Sequence, residues 1–448
     1  MQTKSRHNIT GKLKSGDYFI VNPLYGQADI LTREAYAEYV KGVLKDPSEW
    51  IKKGYLADPE KEKAAYNNAY LDFLDARAKE ELQIFFVPRY SCDFGCSYCY
   101  QEGYSAPPAP PFKDVARAFF RYVKNEFAGR KKYITLFGGE PLAEGKRSRE
   151  EFSYFLSAAK EANIALAVVT NGYRLAEYLP LMEGVKIREI QVTLDGPEAL
   201  HDVRRPGPGG KPTFKKISEG IDKALAAGHI INLRTVLDRD NNSALPELAA
   251  YAVKKGWTKN PKFKTQLGRN YELHTCQEGR DKLLSRLELH GALSEMIREH
   301  PAFLEYHRPA FSISRYLFDN GQMPLPLFDS CPGTKTEWAF DYAGRIYACT
   351  ATVGKKGSEL GAFYPEVASY LYEDKIEEWR SRDVTEIEEC VKCPQALACG
   401  GGCAAVACNA TDKLKSPDCR PIPELIGLGL DLYYSNSRES GVERRESQ

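Results

Sequence analysis

Six short apolar runs separated by helical stretches constrain this chain more than any other feature. The runs are Gln83–Val87, Tyr133–Phe137, Ala165–Thr170, Ile187–Leu194, Ile231–Leu237 and Phe263–Leu267. They have the length and composition of buried strands. Between most of them, apolar residues recur at helical spacing, near Lys113–Phe127, Arg149–Ala162, Leu175–Met182, Phe214–Ala227 and Leu245–Lys255. Strands joined by single helices cross over right-handed and build a parallel sheet, so the expected fold class is α/β.

The first strand runs out into Cys92-Asp-Phe-Gly-Cys96-Ser-Tyr98-Cys99. Gly95 is expected to take backbone angles that other residues resist, letting the loop wrap something compact. Thiolates are soft ligands for zinc or an iron–sulfur cluster. A cubane normally takes one cysteine per iron, so three thiolates leave one iron open to a small molecule. Taken alone, the loop also allows a zinc site with a remote fourth ligand, or three unrelated buried thiols.

Other polar motifs fall at strand C-terminal ends, where (β/α)8 barrels keep their chemistry. Gly138-Gly139-Glu140-Pro141 follows the second strand; adjacent glycines admit a ligand close to the backbone, and Glu140 can accept from an ammonium group. Thr170-Asn171 ends the third strand and Thr193-Leu-Asp195 the fourth. Arg234, on the fifth, has the forked guanidinium that suits a carboxylate. The loop His201-Asp-Val-Arg-Arg205 and the segment Gln266–Asn270 are candidate substrate contacts. Each of these residues also has a structural reading as turn, cap or ion pair.

The chain has twelve cysteines. Seven form a second array: Cys331, Cys349, Cys390-X2-Cys393-X5-Cys399-X3-Cys403 and Cys419. Ala339–Ala348 reads as a hairpin turning at Ala343-Gly344, which brings Cys331 and Cys349 to adjacent strand ends. A zinc knuckle on Cys390, Cys393, Cys399 and Cys419 is a competing reading.

CX3CX2C with an aromatic, Tyr98, before its last cysteine resembles the signature of radical SAM enzymes, and the later motifs follow that family's order. The second array, with its hairpin, resembles the SPASM domain. The resemblance spans about 82–420 and implies a partial (β/α)6 TIM-like barrel. It implies a [4Fe–4S] cluster on Cys92, Cys96 and Cys99, and two auxiliary [4Fe–4S] clusters. The distal one would use Cys390, Cys393, Cys399 and Cys419; the proximal one would use Cys331, Cys349 and Cys403. Two closed cubanes need eight protein ligands and the array supplies seven. Either Cys276 or Cys408 completes the proximal cluster, or one iron is open. By the same resemblance, Tyr98, Gly138, Gly139, Glu140, Pro141, Thr170, Asn171, Thr193, Asp195 and Arg234 line the S-adenosylmethionine pocket.

The domains expected are 1–80, 81–325, 326–424 and 425–448. The first is a strand–helix unit, with strands around a turn in Tyr18–Leu31 and a helix Arg33–Val43 capped by Thr32. A helix near Pro47–Lys53 and a helical stretch Pro59–Lys79 complete it. It serves either as a cap on the open barrel edge or as a peptide-docking element. The last domain is a helix, Leu425–Tyr434, with a disordered tail from Ser435.

Net charge is +1, so nothing points to electrostatic capture of nucleic acid and none is expected as a partner, and no run is long enough to span a membrane. The absence of a signal segment and the oxygen sensitivity of such clusters imply a cytoplasmic protein. The resemblance implies a peptide maturase that cleaves S-adenosylmethionine to a 5′-deoxyadenosyl radical and joins a peptide cysteine to carbon as a thioether. Its partners would be a peptide with a leader segment and a flavodoxin- or ferredoxin-type reductant. Alternatives are sulfatase maturation to formylglycine, carbon–carbon crosslinking or dehydrogenation with the same clusters, and a non-catalytic zinc or electron-transfer protein.

Overall fold

The computed structural model describes residues 2–101, 104, 107–270, 280–368 and 372–439. The six expected strands are present as β6 to β11 once the shorter N-terminal strands are numbered. Those are β1 (Thr3–Lys4), β2 (Ile9–Lys12), β3 (Tyr18–Asn22), β4 (Gln27–Leu31) and β5 (Leu56–Ala57). The main series is β6 (Leu82–Val87), β7 (Lys132–Leu136), β8 (Ala165–Thr170), β9 (Ile187–Thr193), β10 (Ile231–Leu237) and β11 (Phe263–Arg269). All five neighbouring pairs in that series are parallel, in sequence order.

Side chains alternate across this sheet as the pleat requires. Ile84, Phe86, Ile134, Leu136, Val168, Ile190, Val192 and Leu233 lie in the main core with the surrounding helices. Phe85 and Val87 face the other way, in a cluster with Tyr90, Ala339, Tyr347 and Val353. The crossover helices begin and end within three residues of the expected bounds, at Phe112–Glu126, Lys146–Glu161, Phe214–Ala226 and Leu245–Lys254. The segment 175–182 splits into a short α-helix and a 3-10 turn, Leu179–Met182. Pro180 lacks the N–H needed to continue the α-helix.

The sheet does not stop at β6. β12 (Glu337–Asp341) pairs parallel with β6, Glu337 opposite Gln83. β13 (Arg345–Tyr347) and β14 (Glu359–Ala362) then add antiparallel. The hairpin turns at Ala343-Gly344 as expected, with Asp341 Oδ1 accepting from the Ala343 and Arg345 N–H groups at 3.0 Å each. A nine-stranded sheet results, with the hairpin of the second array on one flank and β11 at the opposite edge.

The N-terminal unit holds a three-stranded antiparallel sheet, β2-β3-β4. Thr32 caps the helix Arg33–Lys41 by accepting from Ala35 N–H at 3.2 Å, and Gly42 ends it one residue before the expected Val43. Among the described residues, the unit's apolar clusters contain nothing from β11. β2 and β3 pack instead on Cys399 and the C-terminal helix Ile422–Glu439. The helix Pro59–Lys79 packs Tyr66, Tyr70 and Phe73 on Phe328, beside Cys390. Its Arg77 donates to the Asp329 carboxylate at 2.5 Å and carbonyl at 2.6 Å.

The C-terminal helix corrects another expectation. It starts at Ile422 and continues through the polar residues to Glu439, where disorder was expected from Ser435. Once Leu425, Ile426, Leu430 and Tyr433 are buried, each further turn adds hydrogen bonds without a new nucleus. No helix among the described residues is long and apolar enough to cross a membrane.

Candidate active site and second cysteine array

The Cys92–Cys99 loop is clamped from two sides by backbone. Gly139 N–H donates to Arg89 carbonyl and Glu140 N–H to Ser91 carbonyl, both at 3.0 Å. On the far side, Gly95 N–H donates to Pro206 carbonyl at 3.1 Å and Ser97 N–H to Arg204 carbonyl at 3.2 Å. Gly95 is not in the left-handed region, contrary to expectation; Gly138, at φ 122°, is.

Side chains extend the first clamp. Glu140 is buried at the end of β7. Its Oε1 accepts from Thr170 Oγ1 at 2.6 Å and Leu142 N–H at 2.8 Å, and its Oε2 from Asn171 N–H at 2.6 Å. A carboxylate offers about four acceptor positions, so one remains on Oε2. Burial raises Glu140 to about 7, against the three donors that lower it. Asn171 Nδ2 donates to Asp93 Oδ1 at 2.9 Å, and Arg174 pairs with Asp93 Oδ2 and, at 2.6 Å, with Glu144. Glu140, Thr170 and Asn171 therefore act as one unit, tied into the cysteine loop by Asp93. Pro141 is buried behind Glu140.

The second clamp centres on Tyr98. Its hydroxyl donates to Asp195 Oδ2 and accepts from Arg205 Nη1 at 2.5 Å. Asp195 Oδ1 accepts from Val236 N–H at 2.9 Å. Asp195 is fully buried, so it fixes Tyr98 and β10 and does not face an open pocket. Three side chains of the 201–205 segment, His201, Arg204 and Arg205, are turned inward, while Val203 is exposed. His201 is buried and accepts from Asp195 N–H at 3.1 Å; Arg204 grips both oxygens of Asp238 at 2.9 Å. Thr193 lies opposite Arg234 in the β9–β10 register. Arg234 has no hydrogen-bond or ion-pair partner among the described residues, leaving its fork free for a carboxylate.

Burial raises the Cys96 thiol, and the Arg205 guanidinium opposes that rise, while Asp195 and Cys99 add to it. The loop thiols thus sense one another beside a fixed cation. That suits deprotonated ligands, since metal binding must displace their protons.

The thiols of the second array act on one another in two groups. Burial raises Cys390, with Cys399, Cys393 and Cys419 adding to it. Burial also raises Cys349 well above its usual range, with Glu337, Cys331 and Cys403 adding to it. Backbone N–H groups meet the sulfurs: Gly333 and Ala404 at Cys331, Ala351 at Cys349, Gly401 and Arg420 at Cys399. Such contacts stabilise thiolates, so both donor sets fit iron–sulfur ligation. All eleven described cysteines are free, and no three His, Cys, Asp or Glu among the described residues converge at single-ion distances.

Cys408 does not join the proximal group. It lies five residues beyond Cys403 on the helix Ala404–Thr411, about 140° round the axis. Its charged neighbours are Lys355, Asp412 and Glu378. Cys276 lies outside the described residues.

Sequence reasoning missed Asp93, Arg174, Asp238, Glu337 and Arg382. The one available signal was Asp93, an acid inside the cysteine motif.

Residues 87–252 match the sequence model of the Radical SAM superfamily. GTP 3′,8-cyclase of Pectobacterium atrosepticum is 33% identical over 159 residues, covering 34% of this chain and 45% of the relative. The same-named protein of Klebsiella pneumoniae is 32% identical over 158 residues, again covering 34% and 45%. The chain thus spans less than half the length of these curated relatives. Among solved structures, anSMEcpe with bound AdoMet superposes with TM-score 0.58 at 17% identity, covering 80% of this chain and 97% of that one. Streptococcus suis SuiB bound to precursor peptide SuiA gives 0.54 at 16% identity, covering 94% and 99%. These likenesses establish the fold. Residues 87–252 are therefore a radical SAM domain, built on a partial barrel of parallel strands.

Proposed function

We propose that this chain is a radical SAM peptide maturase of SPASM type, carrying three [4Fe–4S] clusters and forming a thioether from a substrate cysteine. The observation that carries this reading is the grouping of ten thiols into three sets, one after β6 and two in the second array. Bound together, the Cys92–Cys96–Cys99 cluster and S-adenosylmethionine supply a 5′-deoxyadenosyl radical, given one electron from an external reductant. The chain's own residues hold and orient. Glu140 accepts the ammonium of S-adenosylmethionine in its remaining position, and Arg234 takes the carboxylate. Tyr98, fixed by Asp195 and Arg205, holds the cluster loop in register with the pocket.

The N-terminal unit receives the leader. β4 pairs with β3 alone among the described strands, so its outer edge can take up an extended segment by strand addition. SuiB, which matches this chain over nearly its whole length, was solved with its precursor peptide, and that supports a peptide substrate.

A second reading, cyclisation of a nucleotide, is favoured by the 33% identity to GTP 3′,8-cyclase over the barrel. Anaerobic reconstitution followed by reductant and S-adenosylmethionine separates the two. The maturase reading expects about 12 iron and about 12 sulfide per chain. It also expects 5′-deoxyadenosine in stoichiometry with a modified cysteine-containing peptide. About 4 iron with one or two zinc would remove the auxiliary clusters. Turnover of GTP without peptide would favour the second reading. A cysteine-free peptide that is still modified would sink the thioether.

A pH profile tests Glu140. The ammonium needs its ionised form, and the carboxyl is neutral below about 7. Affinity for S-adenosylmethionine should hold above that pH and fall by up to roughly tenfold per pH unit below it. Glu140→Gln should weaken binding and flatten the profile. A parallel slope in Glu140→Gln would assign the titration elsewhere.

A further inference from the structure

The proximal thiols, Cys331, Cys349 and Cys403, have a fourth acidic neighbour that is not a thiol. Glu337 opens β12, and Cys349 lies just past the end of β13. The strands pair with Ala339 opposite Tyr347 and Phe340 opposite Ile346. The paired register ends there, and two residues further out on the two strands lie Glu337 and Cys349. The Glu337 Oε1 atom also accepts from Thr350 N–H at 2.9 Å, which ties the carboxylate to the residue following Cys349.

Among the described residues, no cation pairs with this partly buried carboxylate. Three thiols and a carboxylate therefore crowd one place; the one cation beside them, Lys335 near Cys331, is already paired with Asp329. Like charges disfavour one another's ionised forms, and a group of anionic donors whose nearest cation is taken is what a metal centre compensates. The ligand count agrees. Cys408 lies apart and Met323–Ser330 contains no cysteine, so among the described residues the array is one donor short of two closed cubanes.

We propose that Glu337 is the fourth protein ligand of the proximal auxiliary cluster, its carboxylate oxygen occupying the iron that Cys331, Cys349 and Cys403 leave. This rests on the reading that the array holds iron–sulfur clusters. It also changes how a substrate thiolate would enter. Oxygen is the harder donor in a set that otherwise favours soft sulfur, so Glu337 is the exchangeable ligand. An incoming thiolate would replace it one for one, an Fe–O bond exchanged for an Fe–S bond with no electron moved. Glu337 would thus close the site at rest and yield only to a competing thiolate.

The test uses the full chain with Cys92, Cys96 and Cys99 all changed to Ala, so that electron paramagnetic resonance reads the auxiliary clusters alone. Reconstitution should give about 8 iron. In that background, Glu337→Gln should change one of the two reduced-cluster signals and raise its midpoint potential, because the cluster loses an anionic ligand. Glu337→Cys should keep the iron and bring the potential back down. 2-Mercaptoethanol should perturb the Glu337→Gln signal at a concentration at least about tenfold lower than in the parent. Loss of about 4 iron in Glu337→Gln with retention in Glu337→Cys also supports ligation. Identical signals and potentials in all three proteins overturn it. Equal iron loss in both variants makes Glu337 structural and overturns it too. If the parent itself holds about 4 iron or none, the cluster reading fails first, before any substitution at Glu337 is compared.

Discussion

Arg382→Met is expected to lose at least about 3 kcal/mol of stability and to strip the auxiliary iron, leaving about 4 of about 12. Arg382 is fully buried, and its guanidinium donates to four carbonyls: Leu414 at 2.8 Å, Gly401 at 2.9 Å, Ser416 at 2.7 Å and Gly402 at 3.3 Å. Two of these belong to Gly400-Gly401-Gly402, a run whose three φ angles are 64°, 73° and 72°. That left-handed turn connects Cys399, in the distal group, to Cys403, in the proximal group. Methionine fills similar volume, so the loss is chiefly four carbonyls left without a donor, each costing about 1–3 kcal/mol when buried. Lysine should not rescue, since one ammonium cannot reproduce the planar fork. Urea midpoints and iron counts on the anaerobic protein check both parts. Full iron in Arg382→Met would show that the turn holds without its brace.

Gly139→Ala is expected to reduce 5′-deoxyadenosine formation by about 10²-fold or more while the auxiliary clusters stay intact. A Cβ on Gly139 would stand 2.0 Å from the Ser91 carbonyl oxygen and 2.6 Å from that of Tyr90. Both obstacles are backbone of the segment leading into Cys92, and neither can swing aside as a side chain would. The same segment is bonded to Gly139 and Glu140 through their N–H groups, so the two chains must separate by an ångström or more. That shift moves the thiols relative to Glu140, and misplacement of about 1 Å costs roughly 10²-fold in rate. Gly291→Ala is the control: it sits in the helix Arg286–Glu299 with nothing within 4 Å of the added carbon. It should be neutral, or stabilising by up to about 1 kcal/mol. Comparable loss of activity in both variants would mean that the close approach at Gly139 is not what matters.

The strands, the Thr32 cap and the hairpin turn at Ala343-Gly344 were legible because each is written in a few consecutive residues. The site was legible where a motif carried it, as in the three cysteines and Glu140. What escaped depends on partners far apart in the chain. Asp195 reads as a pocket residue by position, yet its oxygens go to Tyr98, 97 residues away, and to the Val236 backbone. Arg204 and Arg205 read as part of a polar loop that could contact substrate, yet both are buried against acids and a tyrosine that no local pattern predicts. Arg382 binds only carbonyls, which every residue has, so no pairing could be read for it. Glu337 lies two residues before the expected hairpin, and its tie to the residue after Cys349 is a bond to backbone that no sequence pattern marks.

The join between β6 and β12 has a mechanical meaning. β6 delivers the chain to Cys92, and β12 with β13 delivers it to Cys349, and the two are neighbours in one hydrogen-bonded sheet. On the proposed reading, the separation between the two cluster sites is set by strand spacing and pleat. A substrate would be worked on in a gap of set width, as between the jaws of a calliper locked at one reading. Selectivity for the reacting carbon then becomes a matter of how many bonds separate it from the anchored end of the substrate.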